Sequence, residues 1–576
     1  MNVMTMPAGS PSKSKWVLVF LWLLSLIILL AINQYRNGPA VLADELGYLG
    51  VARYLAGAAA LPDMYTASFY HIGYSIFIVP AFWLGSDPVS AYHWVMVINA
   101  MLAASVAPLS YVLARQFFAV PHRRALVITA LVMLYPSIAV QTNMAWSENP
   151  LTPLFLIWVM LFMGLPGSRA WRPLTLSLVS VFLFFIHPRA LGLEILVLIY
   201  FAMIAIYRRA QRGPYIAAAI TMIVCHELAR LALASVRHMS YASGGGNIKH
   251  FLEQMIHLSA VSQFLPASAS GQLLYVSYAS AGMCLLGLLG LLHLVVKRCL
   301  SRWSDEGLGG ALCSEPMLWV LLGIFSIFFA SIISMATGVR VDHWFYGRYV
   351  EITVPILLIA GATQLWAPRQ LKMSATWGAA ILISCVAFWY FGENITDKNA
   401  GWSNIPAMAP LIFAMRQNFG SDNGDAYAIF MMLTLAPMLL LAAAGSRARM
   451  PILLFYILNC AHTIYVWPRE LVGRDASTAS IRSAQKELQK DDLRGRLIAV
   501  VPQSFTDAPF VAIFYRIQYF IDQDQFKVLS PAEAAKVPFV VAPLNWRDEN
   551  KTYRVIVELT PGVALWKQEP MGLPLK

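Results

Sequence analysis

The chain has 576 residues, of which 58% are hydrophobic and only 12% charged, with a mean hydropathy of +0.61. Soluble domains carry about 25% charged residues, so this composition excludes an ordinary soluble protein and indicates a polytopic α-helical membrane protein. The net charge of +12 does not point to nucleic acid, because the basic residues sit in short loops between apolar runs and report topology instead.

A helix that crosses the membrane needs about 20 apolar residues, and Lys or Arg in short loops marks the cytoplasmic side. The first run, 16–34, follows Lys13 and Lys15. No small-residue cleavage site follows it, so an uncleaved first span with a cytoplasmic N-terminus is expected. That span delivers Asp44-Glu45 to the outer side. Residues 71–85 are apolar but short and contain Pro80, which predicts an interfacial or re-entrant piece there. Span two, 90–114, returns to Arg115 and His122-Arg123-Arg124. Span three, 125–141, exits to Trp146-Ser147-Glu148, and span four, 150–165, returns to Arg169 and Arg172. Span five, 173–186, exits to His187-Pro188-Arg189, and span six, 190–206, returns to Arg208, Arg209 and Arg212. Span seven, 214–234, exits to a polar loop with Gly244-Gly245-Gly246, Lys249 and His250. Span eight, 272–296, returns to Lys297, Arg298 and Arg302. Span nine, 317–337, exits to Arg340-Val341-Asp342-His343 and Tyr346-Gly347-Arg348-Tyr349. Span ten, 352–366, returns to Arg369 and Lys372, and span eleven, 375–391, exits to a long loop with Trp402. Span twelve, 427–445, returns to Arg447 and Arg449, and span thirteen, 451–467, exits to the tail.

About thirteen spans result, and nearly every even-numbered one ends in Arg or Lys, a regularity that sets the sidedness of the whole chain. The sequence therefore divides into a membrane part, 1–469, and a tail, 470–576. The tail has mixed charge, a helix-like stretch from Ile481 to Leu493, and strand-like runs at Leu497–Val501, Phe539–Ala542, Tyr553–Leu559 and Val563–Trp566. This alternation predicts a small α/β domain, placed outside the cytoplasm by the count of spans. The six cysteines, Cys225, Cys284, Cys299, Cys313, Cys385 and Cys460, lie in or beside apolar runs without metal-like spacing and read as small hydrophobes. No metal site is indicated, and a divalent cation is neither required nor excluded.

Four sets of polar residues share the outer surface by this count: Asp44-Glu45, Tyr70-His71, Glu148 with His187-Pro188-Arg189, and Arg340 through Tyr349, which includes His343 and Arg348. Each set has an ordinary explanation. Asp44-Glu45 can be a solvated helix end, Glu148 a helix-start carboxylate, Arg189 a side chain snorkelling to the headgroups. Arg340 and Arg348 can be solvated partners of Asp342 or Glu351. Against this stands their chemical complementarity on one side of a charge-poor chain, where ionisable groups at membrane depth are costly and default to function. Carboxylates suit activation of a hydroxyl nucleophile. Arg and His suit a phosphate leaving group, which guanidinium binds through two parallel hydrogen bonds. The set fits transfer of a sugar from a phospholipid carrier to an acceptor hydroxyl.

The segment Ala43-Asp44-Glu45-Leu46-Gly47-Tyr48-Leu49-Gly50-Val51-Ala52-Arg53-Tyr54-Leu55-Ala56 resembles the "DE…Y…A…L" signature of the GT-C superfamily of membrane glycosyltransferases. The protein O-mannosyltransferase and lipid A aminoarabinose transferase types are the most similar in span count, interfacial helix and outer C-terminal domain. The resemblance covers residues 15–200 well and the remainder in architecture only. It implies that Asp44 is the catalytic base, Glu45 its neighbouring acid, and Glu148 an acidic residue shaping the acceptor site. His71 stands where many members carry a Lys that contacts the carrier phosphate within a Glu-Lys-Pro-Pro segment, which is missing here. Arg340 or Arg348 would then supply the charge, with Tyr70, His187, Arg189, His343 and Tyr349 as further donor-binding candidates. The implied partners are a polyprenyl-phosphate-linked sugar, a glycan, lipid or protein acceptor, and membrane lipids. Arabinofuranose, mannose and aminoarabinose are all compatible as the sugar.

Two other readings make different demands. A transporter or lipid-linked-glycan flippase needs midspan charge and broken helices in repeated halves. Here only Glu194 and His226-Glu227-Arg230 answer the first demand, and no halves repeat. An O-antigen ligase-like enzyme using a diphosphate-linked donor would rely on Arg-rich outer loops, without an acidic pair after span one or a C-terminal α/β domain.

Overall fold

The computed structural model describes residues 11–33, 37–39, 42–57, 64–68, 71–165, 170–237, 240–242, 265–336, 347–366, 449–465, 498–500, 526–528, 531–534, 536–546, 553–560 and 563–568. Spans eleven and twelve and the helix-like stretch 481–493 lie outside the described residues. Among the described residues, seven helices are long and apolar enough to cross a membrane.

Helix α1 (Pro11–Asn33) packs on α4 (Pro88–Ala104) and α5 (Val106–Gln116). Between α1 and α4 come two shorter helices, α2 (Leu42–Leu55) and α3 (Gly73–Leu84), which pack on each other. The apolar piece expected at 71–85 is therefore a helix with Pro80 inside it, and much of it is buried. Span two is one continuous run broken only at Ser105. Span three is two helices, α6 (His122–Met133) and α7 (Pro136–Gln141), because Pro136 at the first helical position starts a new helix.

Helices α8 (Glu148–Met163), α9 (Trp171–Ile186), α10 (Leu191–Tyr207) and α11 (Arg212–Arg237) follow in order, with the 3-10 turns Pro188–Ala190 and Arg209–Gln211 at either end of α10. Helix α11 packs on α9 and leaves Ile216, Ile220, Ile223, Val224, Leu228 and Leu231 exposed. A helix with such an apolar outer face suits lipid and not water.

Span eight is a correction. The apolar run 272–296 predicts one helix, but the chain ends α12 (Leu265–Ala279) and starts α13 (Met283–Ser314) within it. Ala281 and Gly282 adopt positive φ, 51° and 79°, which end the regular helix there, and Gly307, at φ 69°, likewise breaks α13 into two helical segments. Hydropathy cannot register such a break. Helices α14 (Pro316–Ala336), the short α15 (Gly347–Val350), the 3-10 turn Glu351–Thr353 and α16 (Val354–Trp366) complete the central part. Helices α13 and α16 touch backbone to backbone. A Cβ on Gly287 would lie 2.1 Å from the Leu357 carbonyl oxygen, and one on Gly361 would lie 1.9 Å from that of Met283. Helix α17 (449–465) seats on α6 through the Tyr456 hydroxyl, which donates to the Leu131 carbonyl at 2.7 Å.

Two sheets are present among the described residues. Strands β1 (Met64–Ser68) and β2 (Ser240–Ala242) form a parallel pair that the sequence did not suggest. In the C-terminal part, β3 (Ile498–Val500), β4 (Phe526–Val528), β5 (Phe539–Pro543), β6 (Tyr553–Thr560) and β7 (Val563–Gln568) pair in the order β4-β3-β5-β7-β6. The first two pairings are parallel and the last two antiparallel. Strand β5 is central and its residues Phe539 to Ala542 are all buried, as for a strand covered on both faces.

Candidate active site

Asp44 and Glu45 lie in the first turn of α2, where a carboxylate meets the positive end of the helix dipole. Successive helical residues point about 100° apart, and the two acids accordingly enter different surroundings. The Glu45 side chain is fully buried. Its Oε2 accepts from the Tyr92 hydroxyl at 2.5 Å and from the Ala145 backbone N–H at 2.9 Å. Glu45 thereby fastens α2 to α4 and to the 142–147 turn. Asp44 turns the other way and pairs with Arg348.

Arg348 is almost wholly buried, at 1% exposure. Besides Asp44 it meets Glu148, with Nε 3.1 Å from Oε1, and its guanidinium carbon sits 3.9 Å from the centre of the Trp146 ring. Glu148, the first residue of α8, shares the same Oε1 with Arg189, whose Nη2 donates at 3.0 Å. Arg189 in turn lies over the Tyr349 ring at 4.7 Å. Four charged side chains thus run in series, Asp44–Arg348–Glu148–Arg189, with alternating sign. Asp44 alone among them is more than a tenth exposed, at 22%. Nε and Nη1 of Arg189 are buried and have no hydrogen-bond partner among the described residues.

The two histidines are both tethered to backbone groups. His71 Nδ1 lies 2.6 Å from the Phe184 carbonyl oxygen. A carbonyl only accepts, so the proton sits on Nδ1. Burial lowers the His71 pKa to about 4, and the ring is neutral. His187 caps the 3-10 turn that carries Arg189, its Nδ1 accepting the Arg189 backbone N–H at 3.2 Å. Burial first, and the neighbouring Arg189 charge second, hold His187 well below the usual histidine range. Neither ring offers positive charge to a phosphate, and each is tethered to the backbone through Nδ1, which in His187 leaves the proton on Nε2. Tyr70, Arg340 and His343 lie outside the described residues.

The scaffold beneath this chain of charges is polar and was not singled out from the sequence. Asn99 Nδ2 donates to the Met144 carbonyl at 2.8 Å, and its Oδ1 accepts from the Tyr74 hydroxyl, also at 2.8 Å. Asn149 Nδ2 donates to the carbonyls of Gln141, Met144 and Trp146, each at 3.1 Å. These amides hold the 142–147 turn so that Trp146 lies under Arg348. Asn99, a polar residue deep in an apolar run, was the signal available for this.

The midspan charges that a transport path would use are disposed otherwise. Glu194 Oε2 and His226 Nδ1 pair at 2.8 Å between α10 and α11. Glu227 and Arg230 pair one turn apart on α11 with more than half of each side chain exposed. At the far end of α10 lies a second ionic group, in which Arg208 pairs with Glu306, and Arg298 and Arg302 with Glu315. Helix α10 has 17 residues, so the two clusters are separated by about 25 Å along it. That is close to the depth of a hydrocarbon core.

No protein-family profile and no curated protein matches the sequence. Solved structures do match. ArnT from Cupriavidus metallidurans in the apo state superposes with a TM-score of 0.51 at 13% identity, covering 96% of this chain and 98% of that one. ArnT from the same organism bound to undecaprenyl phosphate gives a TM-score of 0.50 at 14% identity over the same shares. Seven membrane-capable helices, an acid-bearing short helix after the first of them and a small C-terminal sheet therefore make this chain an integral membrane protein with the fold of these ArnT structures.

Proposed function

We propose that this chain is an inverting glycosyltransferase that moves one sugar from a polyprenyl-phosphate carrier to an acceptor hydroxyl at the outer face of the membrane. The observation that carries the reading is the series Asp44–Arg348–Glu148–Arg189, whose exposed end is a carboxylate and whose buried end is a guanidinium with two nitrogens that have no hydrogen-bond partner among the described residues. The likeness to an ArnT structure bound to undecaprenyl phosphate supports a carrier of that chemical class.

In this mechanism Asp44 takes the proton of the acceptor hydroxyl as that oxygen bonds to the anomeric carbon. The bond from that carbon to the phosphate oxygen breaks on the opposite face, and its electron pair leaves with the phosphate. Such attack inverts the anomeric configuration. Arg348 holds Asp44 in place and Glu148 holds Arg348. Arg189, whose Nε and Nη1 have no partner among the described residues, takes the phosphate, since guanidinium and phosphate match in geometry. Glu45 acts through its grip on Tyr92 and Ala145, which fixes the start of α2.

The test is transfer by purified protein in lipid nanodiscs supplied with undecaprenyl-phosphate-linked sugars and a pool of envelope glycan, lipid and protein acceptors. Product with inverted anomeric configuration is the expected result. Absence of transfer from every monophosphate-linked donor, with transfer from a diphosphate-linked one, would overturn the reading.

A further inference from the structure

Three residues beyond Arg348 stands Glu351, which is 3% exposed. Its carboxylate accepts from three side chains on two other elements. Ser137 and Tyr275 donate their hydroxyls to Oε1, and Gln141 Nε2 donates to Oε2 at 2.5 Å. Ser137 and Gln141 are one helical turn apart on α7 and so share a face. Helix α7 leads directly into the turn that carries Trp146 and Glu148. Tyr275 comes from α12, and its ring presses on the residue before Arg348: a Cβ on Gly347 would lie 1.9 Å from the Tyr275 Cε1. Only glycine fits there.

Arg348 is thus held from both sides in sequence, by the Gly347–Tyr275 contact and by Glu351. Glu351 ties the Arg348 segment to the same stretch that supplies two other partners of Arg348, Glu148 and the Trp146 ring. We propose that Glu351 is a positioning residue that sets Arg348 between Glu148 and Asp44, with Tyr275 completing the clamp. Its carboxylate matters because both oxygens accept. An amide at position 351 keeps one acceptor oxygen and replaces the other by an NH2 group, so the present set of three donated hydrogen bonds cannot all persist. The partners must turn or go unpaired, which is costly when buried. The consequence for turnover rests on the reaction proposed above, whereas the consequence for the Asp44–Arg348 pair does not.

The test uses the full-length protein in nanodiscs and the variants Glu351→Gln and Tyr275→Phe. Carboxylates are labelled with a water-soluble carbodiimide and an amine, and the sites are read by mass spectrometry. Asp44, freed from a well-placed Arg348, should label about fivefold faster in Glu351→Gln, as expected for the loss of one net hydrogen bond. Tyr275→Phe should show a smaller rise, and exposed Glu558 in β6 should label as in the wild type. Turnover should fall in Glu351→Gln, and combining it with Arg348→Lys should add little to the single losses, since both act on one pair. Unchanged labelling of Asp44 in both variants, or fully additive losses, overturns the proposal. If Glu351→Gln does not insert, Tyr275→Phe decides by its labelling. If labelling rises as expected while no donor supports transfer, the reaction fails and the positioning of Arg348 stands.

Discussion

Arg348 and Asp44 stand 304 residues apart in the chain and form an ion pair whose members differ in exposure, 1% for the guanidinium and 22% for the carboxylate. Arg348 also serves Glu148 and covers Trp146, so it is a structural cation first. Removing one partner of a buried charge network leaves the others uncompensated, which costs about 3–5 kcal/mol. Arg348→Ala should therefore lower the melting temperature of the detergent-solubilised protein markedly. Arg348→Lys, which keeps the charge but loses the planar fork, should fall between. Wild-type melting of Arg348→Ala would show that the pair contributes nothing.

Arg189 sits at the buried end of the series. It shares Glu148 at 3.0 Å but keeps Nε and Nη1 buried and unpaired among the described residues. If those groups take the carrier phosphate, Arg189→Lys should weaken undecaprenyl-phosphate binding about tenfold or more, the worth of a charge-assisted hydrogen bond. Titration of the labelled lipid against the two proteins measures this directly. Equal affinity would move the phosphate elsewhere, with Arg340, outside the described residues, next to be tested.

The meeting of these residues was legible in part. Alternating basic loops put Asp44, Glu148, Arg189 and Arg348 on one side of the membrane, and in the fold they are in contact. The order of pairing was not legible, because a contact across 304 residues has no spacing. The divergence of Asp44 from Glu45 follows from helical geometry once α2 is known to be buried on one face. The break at Ala281-Gly282 was hidden because hydropathy stays high through it, and only a glycine marks the place. Tyr92 and Asn99 lie inside an apolar run, where a buried polar group carries a signal that loop residues do not. Glu351, expected as a solvated partner of Arg348, is buried and bonded to Ser137, Gln141 and Tyr275 instead. Histidine at 71 was read by its charge, yet its burial makes it a neutral donor to a carbonyl.

That burial has a pH consequence. The His71 pKa falls from the ordinary 6.5 to about 4 in the folded protein. Between those values the unfolded chain binds a proton that the folded one does not. Stability is thus full above pH 6.5 and declines as the pH falls toward 4, by up to about 3 kcal/mol for this one group. His187, held low in the same direction, adds to the slope. Melting curves at pH 7.5, 6.5, 5.5 and 4.5 should show the decline, and His71→Asn, which preserves a donor to Phe184, should flatten it. A profile of identical slope in the variant would remove His71 from the account.

Sidedness is open to a direct measurement. The cluster around Asp44 and the Arg208–Glu306 group lie at opposite ends of α10, and short basic loops favour the cytoplasm. The Arg208 end is therefore expected inside and the Asp44 end outside, with the C-terminal sheet on the outer side as well. A reporter that is active only in the cytoplasm should stay silent when fused after Lys576 and become active when inserted beside Arg209. The opposite pattern would invert the topology.

Asp44 carries the sharpest expectation. A carboxylate is too weak a base to strip a proton from a free alcohol outright. It need only accept the proton while the new bond to the sugar forms, and such assistance is worth roughly 10²–10⁴-fold in rate. Asp44→Asn keeps the size of the side chain and a hydrogen-bonding oxygen for Arg348, but removes the negative charge and the basic site. Turnover should fall by that factor while insertion and donor binding persist, because the phosphate contact proposed for Arg189 is untouched. Glu45→Gln should act differently. Its partners are the Tyr92 hydroxyl and the Ala145 N–H, so the variant should melt earlier and lose turnover only to the extent that α2 loosens. Rates, donor affinity and melting temperature measured together separate the two acids. A solvated, idle helix end would leave all three unchanged at Asp44, and transfer by Asp44→Asn at the wild-type rate would rule it out as the base.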